Sequence, residues 1–207
     1  MREPEAIDKL VRLFTRLPGI GPRQAKRFVY YLLTKNQAEG KAMATAISAL
    51  SGAVRECQSC HRFFDGNGQN HLECDLCRDP GRDKTLLMVV EKDADISAIE
   101  HAGAYQGRYF VLGGLLPVLE KEPTEMIRSK ELATLVKKKA KNLIEIIIAL
   151  GANSEGDNTI DYLKPLLAES LKDTQIKISI LGRGLSTGSE LEYADTDTLK
   201  NALKNRA

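Results

Sequence analysis

Residues 144–159 read IEIIIALGANSEGDNT. Apart from Glu145, residues 144–150 are aliphatic, and the run empties into a loop carrying Gly151, Asn153, Glu155 and Asp157. A short apolar run bounded by turn formers predicts a strand buried on both faces, as in a parallel sheet. Acidic loops at the carboxyl ends of such strands are places where magnesium serves phosphoryl chemistry. The stretch therefore sets the fold class as α/β and raises the choice between a working metal site and the remains of one.

The pattern continues on both sides of this strand. Further strands are predicted at 86–90, 109–112 and 176–181, and helices near 94–103, 129–141, 157–171 and 196–204. Strands separated by helices argue for parallel βαβ units. The segment 113–126, GGLLPVLEKEPTEM, reads as a long mobile loop. Before Lys84 the texture differs. Ile7, Leu10, Val11, Phe14 and Leu17 recur at a helical period, and Ala25, Phe28, Val29, Leu32 and Leu33 line one face of a second helix. A third helix is predicted at 38–55 through Met43, Ile47, Leu50 and Val54. The chain is thus expected to be multidomain: a helical part at 1–55, a cysteine element at 56–83, a parallel-sheet part at 84–181, and a C-terminal loop and helix at 182–207.

The 207 residues are 43% hydrophobic and 28% charged, a globular balance. No apolar run approaches the ~20 residues of a membrane-spanning helix, and MREPEAIDKL lacks the apolar core of a secretory signal. A cytoplasmic protein is expected. The net charge of +2 says little, but its distribution is uneven. Between Lys9 and Lys41, eight basic residues face only Glu39. Such an excess marks a surface for an anionic partner.

That excess coincides with LPGIGPRQAKRF, residues 17–28. Gly19 and Gly21 bracket Ile20, and Pro18 and Pro22 fix the turn. The glycines let the backbone approach a surface closely, and a helix starting at Pro22 adds its positive N-terminal end. Arg23, Lys26 and Arg27 put full charges beside this phosphate seat. The pattern is that of a helix-hairpin-helix, which grips DNA through phosphates without reading bases.

All four cysteines lie in CQSCHRFFDGNGQNHLECDLC, residues 57–77. Cys57 and Cys60 form one CxxC pair, and Cys74 and Cys77 form a second, thirteen residues on. Four thiolates at this spacing match tetrahedral zinc, and four sulfur ligands leave no open position for a reacting water, so the zinc is structural. His61 and His71 flank the set and are expected beside it rather than in it.

This order of parts resembles the bacterial recombination mediator family RecR: helix-hairpin-helix, four-cysteine element, then an α/β half with LLMVVEKDADISAIE and EGDNT. GRYFVLGG (107–114) and GRGLSTGSELEYADTDTLKNAL (182–203) are similar to further stretches of that family, so the likeness spans the chain. The resemblance implies that the α/β half is a Toprim domain. It also implies a tetrameric ring able to encircle single- or double-stranded DNA, working in DNA repair with RecO and RecF to load recombinase, in association with the nucleoid. The spacer between the cysteine pairs, through DGNGQN, is longer than in the family, and a protruding turn is expected at 65–70.

By similarity to Toprim enzymes, the glutamate after the first strand is Glu91, and the later pair of aspartates falls on Gly151 and Asn153. Two-metal chemistry needs both ions held, and this exchange removes two negative charges. Glu91, Glu155 and Asp157 remain, enough for one weakly held magnesium ion or an acidic docking face. A non-catalytic protein is expected, with a metal-dependent nuclease or primase-like enzyme as the alternative. GRGLSTG has GxGxxxG spacing and no P-loop is present, so neither dinucleotide nor ATP chemistry is supported. KKKAK, 137–141, reads as a solvated helix face, with a second DNA contact as the alternative.

Overall fold

The computed structural model describes residues 3–34, 37–66, 71–118, 126–172, 174–185, 188 and 190–204. The expected turn at 65–70 falls mostly outside them, as do residues 119–125 of the expected loop at 113–126. The chain forms two compact units that divide after Val54.

In the first unit, helix α1 spans Glu5–Thr15, α2 spans Pro22–Thr34 and α3 spans Gln37–Ala53. Glu5 and Asp8 in the first turn of α1 complement its dipole, and Pro22 opens α2 where an amide donor is not needed. Ala25 and Val29 are buried, and Phe14 meets Phe28 edge to face at 6.1 Å. The apolar face predicted for α2 is only partly covered. Phe28 and Leu33 are exposed, as are Met43, Ile47, Leu50 and Val54 on and just beyond α3. Three short helices cannot enclose that much apolar surface in one chain.

The second unit opens with a two-stranded ribbon, β1 (Val54–Glu56) and β2 (Phe63–Asp65), and a short helix α4 (Asp75–Arg78). None of these three was predicted. The α/β body follows as β3 (Asp83–Val90), α5 (Asp93–Ala102), β4 (Gly107–Val111), α6 (Ser129–Lys139), β5 (Glu145–Ala149), α7 (Ser154–Ser170), β6 (Lys177–Ile180) and α8 (Thr196–Lys204). The four strands are parallel in the order β4-β3-β5-β6, so the strand and helix pattern of the sequence is present. Alternate residues of β3 face opposite layers. Leu87 and Val89 pack with Leu132, Val136, Ile160 and Leu163 of α6 and α7. Met88 and Val90 pack with Ile96 of α5 and Tyr109 of β4. No helix of the described residues is long and apolar enough to cross a membrane.

Strand order reverses between β3 and β5: the chain first moves outward to β4, then returns to the far side of β3. The carboxyl ends of β3 and β5 therefore lie side by side, with Val90 paired to Ala149. Glu91 follows β3 directly, and residues 151–153 and the first turn of α7 follow β5, at the position where open parallel sheets keep their ligand sites.

Candidate nucleic-acid interface, metal centre and acidic loop

The hairpin between α1 and α2 is held by its own backbone. Leu17 carbonyl accepts from Ile20 N–H at 3.1 Å, and Gly21 carbonyl accepts from Ala25 N–H at 2.9 Å. Gly19 sits at φ +75°, the left-handed region. A Cβ added at Gly19 or Gly21 would meet nothing within 4 Å, so the tip is open on its outer side. Arg23 and Arg27 are exposed and, among the described residues, have no acidic partner. Lys26 differs: it pairs with Glu3, and that bond raises its pKa. The sequence reading treated the three cations alike, whereas the fold leaves two of them for a ligand.

The cysteine element converges as the spacing requires. Cys57, Cys60, Cys74 and Cys77 are all buried, and their sulfurs lie within 4.8 Å of one another. Cys60 Sγ and Cys74 Sγ are 3.6 Å apart, close to the ~3.8 Å that a tetrahedron of 2.3 Å metal–sulfur bonds demands. Cys74 N–H donates to Cys57 Sγ at 3.3 Å. At this crowding the thiols cannot titrate independently. Hydrogen bonding with Cys60 draws Cys57 far below its ordinary value, and the same bond pushes Cys60 far above it. A bound cation removes that conflict by holding all four as thiolates. The donor set fits a structural metal ion.

His61 stands beside the sulfurs, as expected. Its Nδ1 lies 2.7 Å from Glu56 Oε1, and its ring meets Phe110 edge to face at 5.2 Å. Arg128 reaches the same Glu56 oxygen at 3.3 Å. The element is fixed to the sheet edge by Val111 N–H donating to Cys60 carbonyl at 2.8 Å and by Arg108 donating to Cys77 carbonyl. A metal held by the four sulfurs would thus also brace β4.

At the carboxyl ends of β3 and β5 the remaining acids go separate ways. Glu91 is half-buried near Lys92 Nζ at 3.7 Å, Glu155 is exposed, and Asp157 pairs with Arg183 Nη2 at 2.7 Å. Among the described residues the four cysteines form a metal-ligating cluster, and these three carboxylates do not join one. Asn153, at a position where Toprim enzymes place an aspartate, caps α7 instead: its Oδ1 accepts from Gly156 N–H at 2.7 Å. That cap starts α7 at Ser154, three residues before the predicted 157. Gly156 is obligatory in this turn, because a Cβ there would stand 1.9 Å from Gly151 carbonyl oxygen.

One buried cluster escaped the sequence reading. Arg82, 6% exposed, donates to Glu100 at 2.8 and 2.5 Å and to Gly107 carbonyl at 2.9 Å. Tyr109 donates to the same carboxylate at 2.6 Å, and its ring lies 5.3 Å from the guanidinium carbon. The members come from the residue before β3, the end of α5 and β4, so no local motif announces them.

Comparison with known proteins agrees with these parts. Residues 7–50 match the family described as RecR, helix-hairpin-helix; residues 85–182 match the Toprim domain; residues 184–207 match RecR, C-terminal. The chain is 38% identical to Recombination protein RecR of Psychrobacter cryohalolentis over 200 residues, covering 97% of this chain and 96% of that protein. It is 37% identical to the protein of the same name from Syntrophobacter fumaroxidans over 203 residues, covering 98% and 96%. For that of Bifidobacterium adolescentis the identity is 38% over 202 residues, covering 97% and 95%. The helical hairpin, the Toprim sheet and this end-to-end likeness place the chain in the RecR family of recombination proteins.

Proposed function

We propose that the protein is a DNA-binding recombination mediator in recombinational DNA repair, acting on single- and double-stranded DNA without sequence preference. The observation that carries this reading is the open, glycine-turned tip of the first unit, with Arg23 and Arg27 exposed beside a helix N-terminus. Gly19 and Gly21 give the backbone its approach, and Lys26 contributes once Glu3 is displaced. The relatives' name, Recombination protein RecR, supports the process. Work with RecO and RecF, and a cytoplasmic, nucleoid-associated setting, follow from the family likeness.

The four cysteines are proposed to hold zinc, chosen for its preference for tetrahedral sulfur. Assembly into a homotetrameric clamp is supported by the apolar stripe Met43, Ile47, Leu50 and Val54, which one chain leaves exposed. The functional modules are proposed at 1–55, 56–83, 84–181 and 182–207.

The double variant Arg23→Ala/Arg27→Ala is expected to bind mixed-sequence single-stranded oligonucleotides at least tenfold more weakly at low salt. The slope of log K against log salt should fall by roughly 1.4, from about 0.7 per lost phosphate contact. Fluorescence anisotropy over a salt series measures both. Unchanged affinity and slope would remove the hairpin from the interface.

A second reading, a metal-dependent nuclease or primase-like enzyme, draws on the Toprim match and on Glu91 at the end of β3. It is disfavoured because Gly151 and Asn153 bring no carboxylate and Asp157 is paired with Arg183. Supercoiled plasmid incubated with the protein and magnesium or manganese is expected to stay uncut. Nicking abolished by Glu91→Gln would establish the enzyme.

A further inference from the structure

Helix α6 carries Lys130, Lys137, Lys138 and Lys139, and Lys141 follows it. Among the described residues none of these lysines has an acidic partner, although ten other cations of the chain, from Arg12 to Lys200, are ion-paired. Lys130, Thr134 and Lys138 follow one another at helical spacing, so they form one stripe, about 12 Å long at 1.5 Å per residue. The lysines of the last turn also serve the negative end of the helix dipole. Lys130 does not: it sits in the first turn, where a cation opposes the dipole.

Lys130 and Lys138 line one groove of about 460 Å³, whose opposite wall is the cysteine element with Gln58, Ser59 and His61. His61 is held at φ +62°, a conformation a residue with a Cβ adopts at a cost. Its ring is already held by Glu56 and Phe110. Among the described residues Glu131 is the single acid that lines the groove, and Ser59 and His61 of its wall bond Glu73 and Glu56. The aromatic floor, Phe110, is fully buried, so no exposed aromatic anchor of the kind that dominates protein–protein contacts is offered.

We propose that this groove is a second nucleic-acid contact, in which Lys130 and Lys138 take backbone phosphates against the polar wall of the cysteine element. It rests on the reading of the protein as a DNA binder and adds a site in the α/β unit, separate from the hairpin.

The test uses full-length, metal-loaded protein and a mixed-sequence single-stranded oligonucleotide. Lys130→Ala/Lys138→Ala should weaken binding about fivefold at low salt and lower the salt slope by roughly 1.4. A charge-matched control, Lys84→Ala/Lys204→Ala, should leave both near wild type. In the Arg23→Ala/Arg27→Ala background the groove substitutions should remove most of the residual affinity. Wild-type slope in the groove variant, or equal weakening in the control, overturns the proposal while leaving the hairpin reading intact. So does tighter binding of an oligoglutamate peptide than of the oligonucleotide, lost in the groove variant, since the groove would then serve an acidic protein. Loss of effect from the hairpin substitutions alone would instead strike the reading on which this one rests.

Discussion

Cys74→Ser is expected to lose its metal and to melt at least ~8–16 °C below the wild type. The cysteine element has almost no core of its own: its buried side chains are the four thiols, with Phe64 and Leu76 partly covering them. Its ribbon strands are three residues each and its helix four, lengths that do not persist alone. A metal bound there would supply the folding energy, which reaches about 10–16 kcal/mol in isolated zinc peptides at neutral pH. Even about 4 kcal/mol of it, at ~2–4 °C per kcal/mol for a chain of this size, gives the stated shift. The loss should spread, because Cys60 and Cys77 carbonyls brace Val111 and Arg108 of the β4 edge. Metal analysis, thermal unfolding and limited proteolysis across 55–78 measure the three consequences. A variant that keeps one metal ion per chain and the wild-type melting temperature would refute a four-sulfur site.

Glu100→Ala is expected to cost about 3 kcal/mol, a fall of roughly 6–12 °C in melting temperature. Removing this carboxylate strands the Arg82 guanidinium in a buried site with Gly107 carbonyl and the Tyr109 ring as its remaining partners. Breaking such a pair costs more than the pair contributes, so Arg82→Met/Glu100→Leu should be milder than Glu100→Ala. The pH dependence has a defined sign. The Arg82 guanidinium holds the Glu100 carboxyl below its ordinary value. Its stabilisation is fully present above the unfolded value of about 4.3 and is lost as pH falls through the folded value. The melting-temperature gap between wild type and Glu100→Ala should therefore be constant from pH 6 to 8 and close in acid. A gap as wide at pH 3 as at pH 7 would mean that Glu100 acts through packing rather than charge.

The two clusters differ in how far the sequence announces them. The cysteines repeat a two-residue gap twice, and a metal needs nothing more local than that. Arg82, Glu100 and Tyr109 are separated by most of a βαβ unit, and a salt bridge has no spacing rule between elements. The start of α7 was readable in principle. Asn153 is a good N-cap and Gly156 follows where the turn is tight, so the helix begins three residues before the acidic pattern alone suggests.

By itself the sequence determined the parallel α/β body, the helical hairpin and the four-sulfur cluster. Each rests on short-range physics: runs of apolar residues long enough to be buried, turns that demand glycine and proline, and ligands a fixed distance apart. Tertiary structure alone decided which charges are spent. Packing brought Glu3 to Lys26 and Arg183 to Asp157, and left Arg23, Arg27, Lys130, Lys137 and Lys138 exposed. A charge's availability depends on what the fold places within about 4 Å of it, and residues distant in the chain set that distance.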